Sequence, residues 1–178
     1  MGKVLLYIAS SLDGLIAREN GDISWLDSFN SPNEDYGYTA LKKKTGALVM
    51  GARTYEKMLS FGEWPEDKNN PTYVVSKKQL EGVKGVNIIF WRKGSLAKLA
   101  SQIKKSTKKD VWLVGGAKLA QGFLKEKLVD EIILSIIPVV LGNGISLFGE
   151  AGKETSLKLL KEKAYANGIV QLHYKVLK

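Results

Sequence analysis

The chain contains no cysteine and only one histidine, His173, among its 178 residues. Without cysteine it can form no disulfide framework, no iron–sulfur cluster, no thiolate zinc site and no cysteine nucleophile. A single imidazole cannot supply a multi-histidine metal site either. These absences lead us to predict that there is no metal site, and they leave carboxylates, hydroxyls and basic side chains for chemistry.

Long hydrophobic runs are also missing, since none approaches the roughly 20 residues that a membrane-spanning helix needs. The apolar run from Val4 to Ala9 is short, and Ser10 to Gly14 follow it without the small-residue pattern of a signal-peptide cleavage site. The sequence therefore predicts a cytoplasmic protein with no membrane partner.

Charge is plentiful but unbalanced, with 27 Lys and Arg against 18 Asp and Glu, a formal net charge of +9. Such an excess fits nucleic acid, an acidic surface or a small anionic ligand. The densest basic runs, Lys42–Lys44 and Lys104–Lys109, lack the interleaved aromatic residues on which bases would stack. We therefore interpret both runs as solvated helix faces and disfavour a basic nucleic-acid-binding module.

Short apolar runs rich in Val, Ile and Leu alternate with helical patterns along the whole chain. Strands are predicted at Val4–Leu12, Ala47–Gly51, Thr72–Ser76, Val86–Phe90, Val111–Val114 and Glu131–Leu141. Most of these runs are apolar on both faces, which is typical of central strands covered by helices on either side. The sequence therefore predicts an α/β fold with a mostly parallel sheet flanked by helices, in a single domain over 1–178.

Two further segments have readable local patterns. Ser95 is placed to cap a helix whose apolar stripe consists of Leu96, Leu99, Ala100 and Ile103. At the C-terminal end, apolar and polar residues alternate from Val170 to Val176, which predicts a half-exposed strand near a sheet edge. His173 falls on the polar face of this strand, so a surface role is favoured over catalysis.

Three predicted strands end in residues suited to a phosphorylated ligand. The glycines permit close approach of a ligand to the backbone, and a following helix directs free N–H groups at it. Because ligands of open α/β sheets bind outside the carboxyl ends of the strands, one extended ligand could touch all three turns. Three unrelated turns are the alternative. The residues are Gly115–Gly116, Gly51 with Arg53 and Thr54, and Ser76 with Lys77.

At this point the sequence resembles the dihydrofolate reductase-like superfamily, and within it the branch of the RibD C-terminal domain of riboflavin biosynthesis. The resemblance rests on Ser11–Gly14, Met50–Glu56, Val114–Gly116 and Pro138–Gly144, with Leu147 and Phe148 following. It implies a central mixed sheet of about eight strands, with bound NADPH and hydride transfer to a pterin- or pyrimidine-like ring. A 5-amino-6-(5-phosphoribosylamino)uracil reductase-like activity is the nearest family function, and a nucleotide-binding protein without turnover is the alternative.

The resemblance also implies residue roles and an assembly. Gly51, Arg53 and Thr54 match the first cofactor turn, Ser76 and Lys77 the loop near the adenosine phosphate, and Gly115, Gly116, Ala117, Lys118 and Leu119 the pyrophosphate turn. Family members commonly carry a cis peptide within the glycine pair. They also commonly pair through the late region around Pro138–Gly144, so we expect a homodimer.

The catalytic candidates are carboxylates. Asp35 lies in the helical segment where dihydrofolate reductases place their buried acid, and Asp13, at the end of the first strand, is the alternative. Each also has a purely structural interpretation, Asp35 as a charge in the first turn of its helix and Asp13 as part of a turn with Gly14. For the substrate, Tyr36 is expected to line the pocket, and Trp25 to act either as an aromatic lid or as a loop anchor.

Overall fold

The computed structural model describes residues 2–62, 64, 66–149 and 154–178. The elements, in chain order, are β1 Val4–Ser11, β2 Leu15–Ala17, a 3-10 helix Ser24–Phe29, α1 Tyr38–Lys44, β3 Thr45–Gly51, α2 Ala52–Leu59, β4 Thr72–Val75, β5 Ile88–Trp91, α3 Leu96–Ser106, β6 Asp110–Gly115, α4 Ala117–Lys125, β7 Glu131–Ile137, β8 Ile145–Ser146, β9 Leu157–Ala164 and β10 Val170–Val176.

Eight strands form one sheet in the order β5-β4-β3-β6-β1-β7-β10-β9. The pairs from β5 to β7 are all parallel, while β10 runs antiparallel to both β7 and β9. The two short strands β2 and β8 pair separately. This arrangement confirms the predicted α/β fold with a mostly parallel, mixed sheet flanked by helices.

Both faces of the sheet are covered, as the doubly apolar strands require. On one face α3 and α4 pack over strand residues such as Leu6 and Val49. On the other, Leu41 of α1 and Met58 of α2 pack over Leu5 and its neighbours. The predicted cap of α3 is confirmed, since the Ser95 hydroxyl accepts a hydrogen bond from the Lys98 N–H at 3.3 Å.

The sequence patterns missed β9, and they extended the strand of β7 too far. β7 ends at Ile137 because Pro138 has no N–H for the ladder. All eight residues of β9 are exposed and its register is interrupted by an irregularity, so no alternation of apolar and polar residues marked it. β9 is one of the two edge strands, opposite β5, and β10 lies next to it, near the sheet edge as expected. His173 is not simply solvated, since its Nε2 lies 2.7 Å from Glu131 Oε2.

Within the described part of the chain, every helix is too short or too polar to cross a membrane.

Candidate functional site

The carboxyl ends of three adjacent parallel strands, β4, β3 and β6, meet at one edge of the sheet. Met50 pairs with Gly115, and Gly51 pairs with Val75. The turns that follow these strands are therefore neighbours in space, as the sequence analysis anticipated for an extended ligand.

The glycine pair after β6 packs directly against the turn after β3. A Cβ atom built on Gly116 would lie 3.3 Å from Thr54 Oγ1 and 3.8 Å from the Cα of Gly51. Both Gly115 and Gly116 have positive φ angles, 135° and 81°, which side-chain-bearing residues rarely adopt. The described residues contain no cis peptide bond, so the expected cis bond in the glycine pair is wrong. The chain turns here through the dihedral angles that glycine alone adopts readily.

Two helices begin at this junction and neither is capped by a side chain. Gly51 precedes the eight-residue α2, and Gly116 precedes the nine-residue α4. The first-turn N–H groups and the positive end of the helix dipole favour an anion at such a position. Two uncapped helix starts beside a glycine pair make a cradle that suits a diphosphate.

The side chains predicted for the pyrophosphate turn divide into two groups. Lys118 is exposed, as is Arg53 at the start of α2. Ala117 and Leu119 are both buried, and the Leu119 N–H donates to the Gly116 carbonyl at 2.9 Å. Leu119 thus has a packing role and its N–H is already paired, whereas Ala117 can offer a ligand only its backbone.

The loop after β4 holds Ser76 in place through local hydrogen bonds. The buried Ser76 hydroxyl accepts from the Lys78 N–H at 2.9 Å, while Lys78 Nζ lies 3.3 Å from Glu56 Oε1 on α2. Ser76 therefore shapes the loop, and Lys77 remains exposed beside it.

Sequence reasoning missed a second basic pair at the same end of the sheet. Arg92 and Lys93 follow β5 directly and are exposed, next to the loop of Ser76, whose N–H donates to the Trp91 carbonyl at 3.2 Å. A basic pair after a predicted strand end is the same signal that identified Lys77. Applied to every strand, it would have found these two residues.

A cavity of about 570 Å³ lies beside β1 and α1, on the other side of β1 from α4. Its wall contains Tyr7, the segment 30–32, and Glu34, Asp35, Tyr36 and Tyr38. β1 connects it to the glycine pair, because a Cβ built on Gly115 would lie 3.3 Å from Cδ1 of Ile8, the residue after Tyr7. The cavity wall and the glycine pair therefore lie beside neighbouring residues of the same strand.

Aromatic contacts make one wall of the cavity rigid. Tyr7 and Tyr38 both place ring edges against Trp112, with ring centroids 6.1 and 5.9 Å away, and Trp112 Nε1 donates to the Tyr7 carbonyl at 3.2 Å. Burial raises the pKa of Tyr7 to about 12, and the nearby Tyr165 and Asp35 add to the shift. Tyr7 therefore stays protonated through the neutral range.

Asp35 lines the cavity but is not the buried helical acid that the resemblance implied. It is exposed and precedes α1, where its carboxylate accepts from the N–H groups of Gly37 at 2.9 Å and Thr39 at 3.0 Å. Hydrogen bonds from Thr39, and then from the Gly37 backbone, hold the pKa of Asp35 below its usual value. Asp35 is thus an anion at the cavity rim that also stabilises the start of α1.

Asp13 lies outside the cavity wall and joins two loops. The Ser11 hydroxyl donates to it at 2.6 Å, and the N–H groups of Leu141 and Gly142 donate at 3.1 and 2.8 Å. Ser11, followed by the two backbone N–H groups, holds the pKa of Asp13 below its usual value. The carboxylate therefore fixes the segment Pro138–Gly144 to the end of β1, a role broader than a turn with Gly14.

The two predicted substrate residues have different environments. Tyr36 lines the cavity, as expected, and its hydroxyl donates to the Phe29 carbonyl at 2.7 Å. Trp25 is only 6% exposed and packs with Ile137 and Ile169 in a separate apolar cluster. The structure therefore favours the loop-anchor interpretation of Trp25 over the lid.

Across the described ranges, no three His, Cys, Asp or Glu side chains cluster as metal ligands would.

Comparisons with known proteins identify the family. A family model described as the RibD C-terminal domain matches residues 2–171. The chain is 37% identical to the uncharacterized protein YwjB of Bacillus subtilis, over 97% of each chain. It is 32% identical to the solved structure of a putative riboflavin biosynthesis protein from Shewanella sp. PV-4, with a TM-score of 0.87 and full coverage of both chains.

A more distant solved structure shares the fold. This is a diaminohydroxyphosphoribosylaminopyrimidine deaminase/5-amino-6-(5-phosphoribosylamino)uracil reductase from Thermotoga maritima, 16% identical with a TM-score of 0.73. The similarity covers 99% of this chain and 57% of that protein. With its mixed sheet and its match to the family model, the chain belongs to the RibD C-terminal domain family, which has the dihydrofolate reductase-like fold.

Proposed function

We propose that this protein is an NADPH-dependent reductase that transfers a hydride to a pyrimidine- or pterin-like ring. The observation that carries the proposal is the junction of Gly51, Thr54 and Gly116, where two uncapped helices start side by side at the carboxyl ends of parallel strands. Membership of the RibD C-terminal domain family supports the same reaction class.

The residues present fit a dinucleotide phosphate. At Gly116 a side chain would fill the space beside Thr54, and the absence of one leaves the backbone open to a diphosphate. Exposed cations at the ends of β3, β4 and β5 suit a further phosphate at the adenosine end; they are Arg53, Lys77, Arg92 and Lys93. When bound, NADPH supplies the hydride, and the protein supplies binding and orientation.

The test of this function is an NADPH oxidation assay with a short panel of rings. We expect absorbance loss with 5-amino-6-(5-phosphoribosylamino)uracil, dihydrofolate or another pterin, and tighter binding of NADPH than of NADH. Failure of both dinucleotides to bind at millimolar concentration would overturn the proposal. Binding without turnover on any ring would support the alternative, a nucleotide-binding protein.

Two carboxylate variants locate the chemistry within this assay. With the responding substrate, Asp35→Asn should lower kcat/KM about tenfold, because one charge-assisted hydrogen bond to substrate or water is lost. NADPH affinity should stay unchanged. A loss of about 10²–10⁴-fold would instead identify Asp35 as a general acid or base. Asp13→Asn tests the alternative acid: because Asp13 lies outside the cavity wall, we expect a smaller loss than in Asp35→Asn, and the reverse ranking would move the acid to Asp13.

We also propose a homodimer, supported by an apolar surface at the β9 end of the sheet. The helices bury Ile132 of β7, whereas on the same face Leu159 is 47% exposed, and Val170 on β10 is 38% exposed. An apolar surface of this kind is commonly covered by another chain, and isologous dimers are the commonest assemblies.

Light scattering tests the assembly. We expect twice the chain mass of 19.6 kDa at micromolar concentration, and Leu159→Lys should give the mass of one chain. Lys161→Glu is the control, because Lys161 pairs with His173 on the opposite face of the sheet. A single-chain mass for the unchanged protein would contradict the dimer.

A further inference from the structure

A buried carboxylate behind the cavity wall has no part in the function proposed above. Glu66, in the segment between α2 and β4, is only 8% exposed. It accepts a hydrogen bond from the Tyr38 hydroxyl, and its other oxygen lies 3.6 Å from Lys42 Nζ. Tyr38 and Lys42 lie four residues apart on α1, so one carboxylate holds two successive turns of the helix that borders the cavity.

The hydrogen bonds of the cavity tyrosines account for all of their hydroxyl protons. Each phenol has one proton to donate. Tyr7 donates to the Tyr36 carbonyl at 3.2 Å, Tyr36 donates to the Phe29 carbonyl at 2.7 Å, and Tyr38 donates to Glu66. None of the three phenols keeps a proton for a ligand. The Tyr36 hydroxyl already accepts from Asn167 Nδ2 at 2.7 Å, so the lone pairs of Tyr7 and Tyr38 are the ones to consider for a ligand.

The remaining wall has the same polarity. Glu34 accepts from Lys163 Nζ at 3.1 Å, and Asp35 accepts from two backbone N–H groups. Among the described lining residues, only the Asn30 and Ser31 side chains keep a proton to donate. The cavity wall thus offers mainly acceptors, and a ligand with donors suits it, since a partly buried phenol oxygen left without a partner costs binding free energy.

We propose that Glu66 is a positioning residue that sets substrate specificity: it holds the Tyr38 hydroxyl proton away from the cavity, so that Tyr38 accepts a hydrogen bond from a ring N–H of the substrate. The proposal rests on the reductase function proposed above, and it narrows the substrate to rings with free N–H donors.

Two observations support a fixed polarity at Tyr38. Burial, and then the hydrogen bond and charge of Glu66, raise the pKa of Tyr38, so the phenol keeps its proton throughout the neutral range. The second Glu66 oxygen lies 3.6 Å from the Lys42 ammonium, and a carboxylate offers Tyr38 only acceptor oxygens. The direction of the hydrogen bond is therefore set by charge.

The test measures binding of two probes to the full-length chain by calorimetry, without cofactor. The probes are diaminouracil and its N,N′-dimethyl derivative, in which both ring N–H groups are blocked. We expect the unchanged protein to prefer diaminouracil by about fivefold, the worth of one hydrogen bond. Tyr38→Phe should bring the ratio close to one. Glu66→Gln, whose amide can either accept from Tyr38 or donate to it, should lower the ratio part of the way. Glu56→Gln, which alters an exposed carboxylate on α2, should preserve it.

The catalytic readout separates positioning from general damage. On the substrate found in the oxidation assay, Glu66→Gln should raise KM several-fold with kcat nearly unchanged, as loss of uniform binding requires. If Glu66→Gln fails to fold, Tyr38→Phe carries the test, because it removes only the hydroxyl.

Three outcomes would overturn the proposal: neither probe binds, the unchanged protein shows no preference, or Tyr38→Phe keeps the full preference. Because the ratio of probe affinities is measured without NADPH, failure to bind NADPH would contradict the reductase function without affecting this result. Conversely, normal NADPH oxidation with an unchanged ratio in Tyr38→Phe would contradict only the role of Glu66.

Discussion

Replacing Gly116 with valine should weaken NADPH binding by about 10²-fold or more. In the proposed site the backbone would give a bound diphosphate two charge-assisted hydrogen bonds, each worth about 1.5–3 kcal/mol, and the new side chain would block the approach that makes them possible. The Cβ itself would lie 3.3 Å from Thr54 Oγ1, so the valine occupies the space between the two turns. Titration followed by tryptophan fluorescence and by thermal stability measures the loss.

The control must separate lost binding from backbone strain. Gly116 has φ 81°, where a β-branched residue is strained, and a cost of about 1–3 kcal/mol in stability is expected. Gly85 has φ 76° with no atom within 4 Å of a built Cβ, so Gly85→Val imposes similar strain away from the cradle. Gly85→Val should bind NADPH normally. Unchanged affinity in Gly116→Val would place the diphosphate elsewhere.

Replacing Trp25 with alanine should lower the free energy of unfolding by about 3–5 kcal/mol, the range for truncation of a buried aromatic side chain. Trp25 is 6% exposed and packs between Ile137 at the end of β7 and Ile169 before β10. Urea unfolding followed by circular dichroism measures the change. A lid over the substrate would behave differently, with a raised KM and an unfolding free energy near that of the unchanged protein.

Trp25→Phe is the matched variant for this prediction. The Trp25 Nε1 is buried and has no hydrogen-bond partner among the described residues, so phenylalanine loses no hydrogen bond to them and keeps most of the apolar contact. We expect a much smaller loss of stability than in Trp25→Ala. Equal losses in both variants would contradict this, because they would show that a phenyl ring recovers none of the apolar contact that the indole makes.

Local patterns predicted most of the sheet because buried strands have a characteristic apolar sequence. Strands covered on both faces need apolar residues at every position, so the central strands were recognisable from Val, Ile and Leu alone. β9 had no such signal, since it lies at the edge with its residues exposed on both faces. Its lysines are typical of an edge strand but equally of a helix surface.

The glycine turns were predictable for the same local reason, while their internal geometry was not. Gly51 and Gly115 follow strand ends in sequence, and parallel strands bring such ends together. The positive φ angles of the glycine pair and its position beside Thr54 and Ile8 appear only in the folded structure, because no local pattern records them.

The sequence by itself determined the fold class, the strand-end turns and the exclusion of cysteine chemistry, because these depend on composition and on neighbours along the chain. Only the tertiary structure decided the cavity and its polarity. The Tyr7 hydroxyl donates a hydrogen bond to the carbonyl of Tyr36, which is 29 residues away in the sequence. The Tyr38 hydroxyl donates to Glu66, which is 28 residues away. Hydrogen bonds over such separations form only when the whole sheet packs, and they set the proton directions in the cavity. The same packing places Asp35 at the rim and buries Trp25.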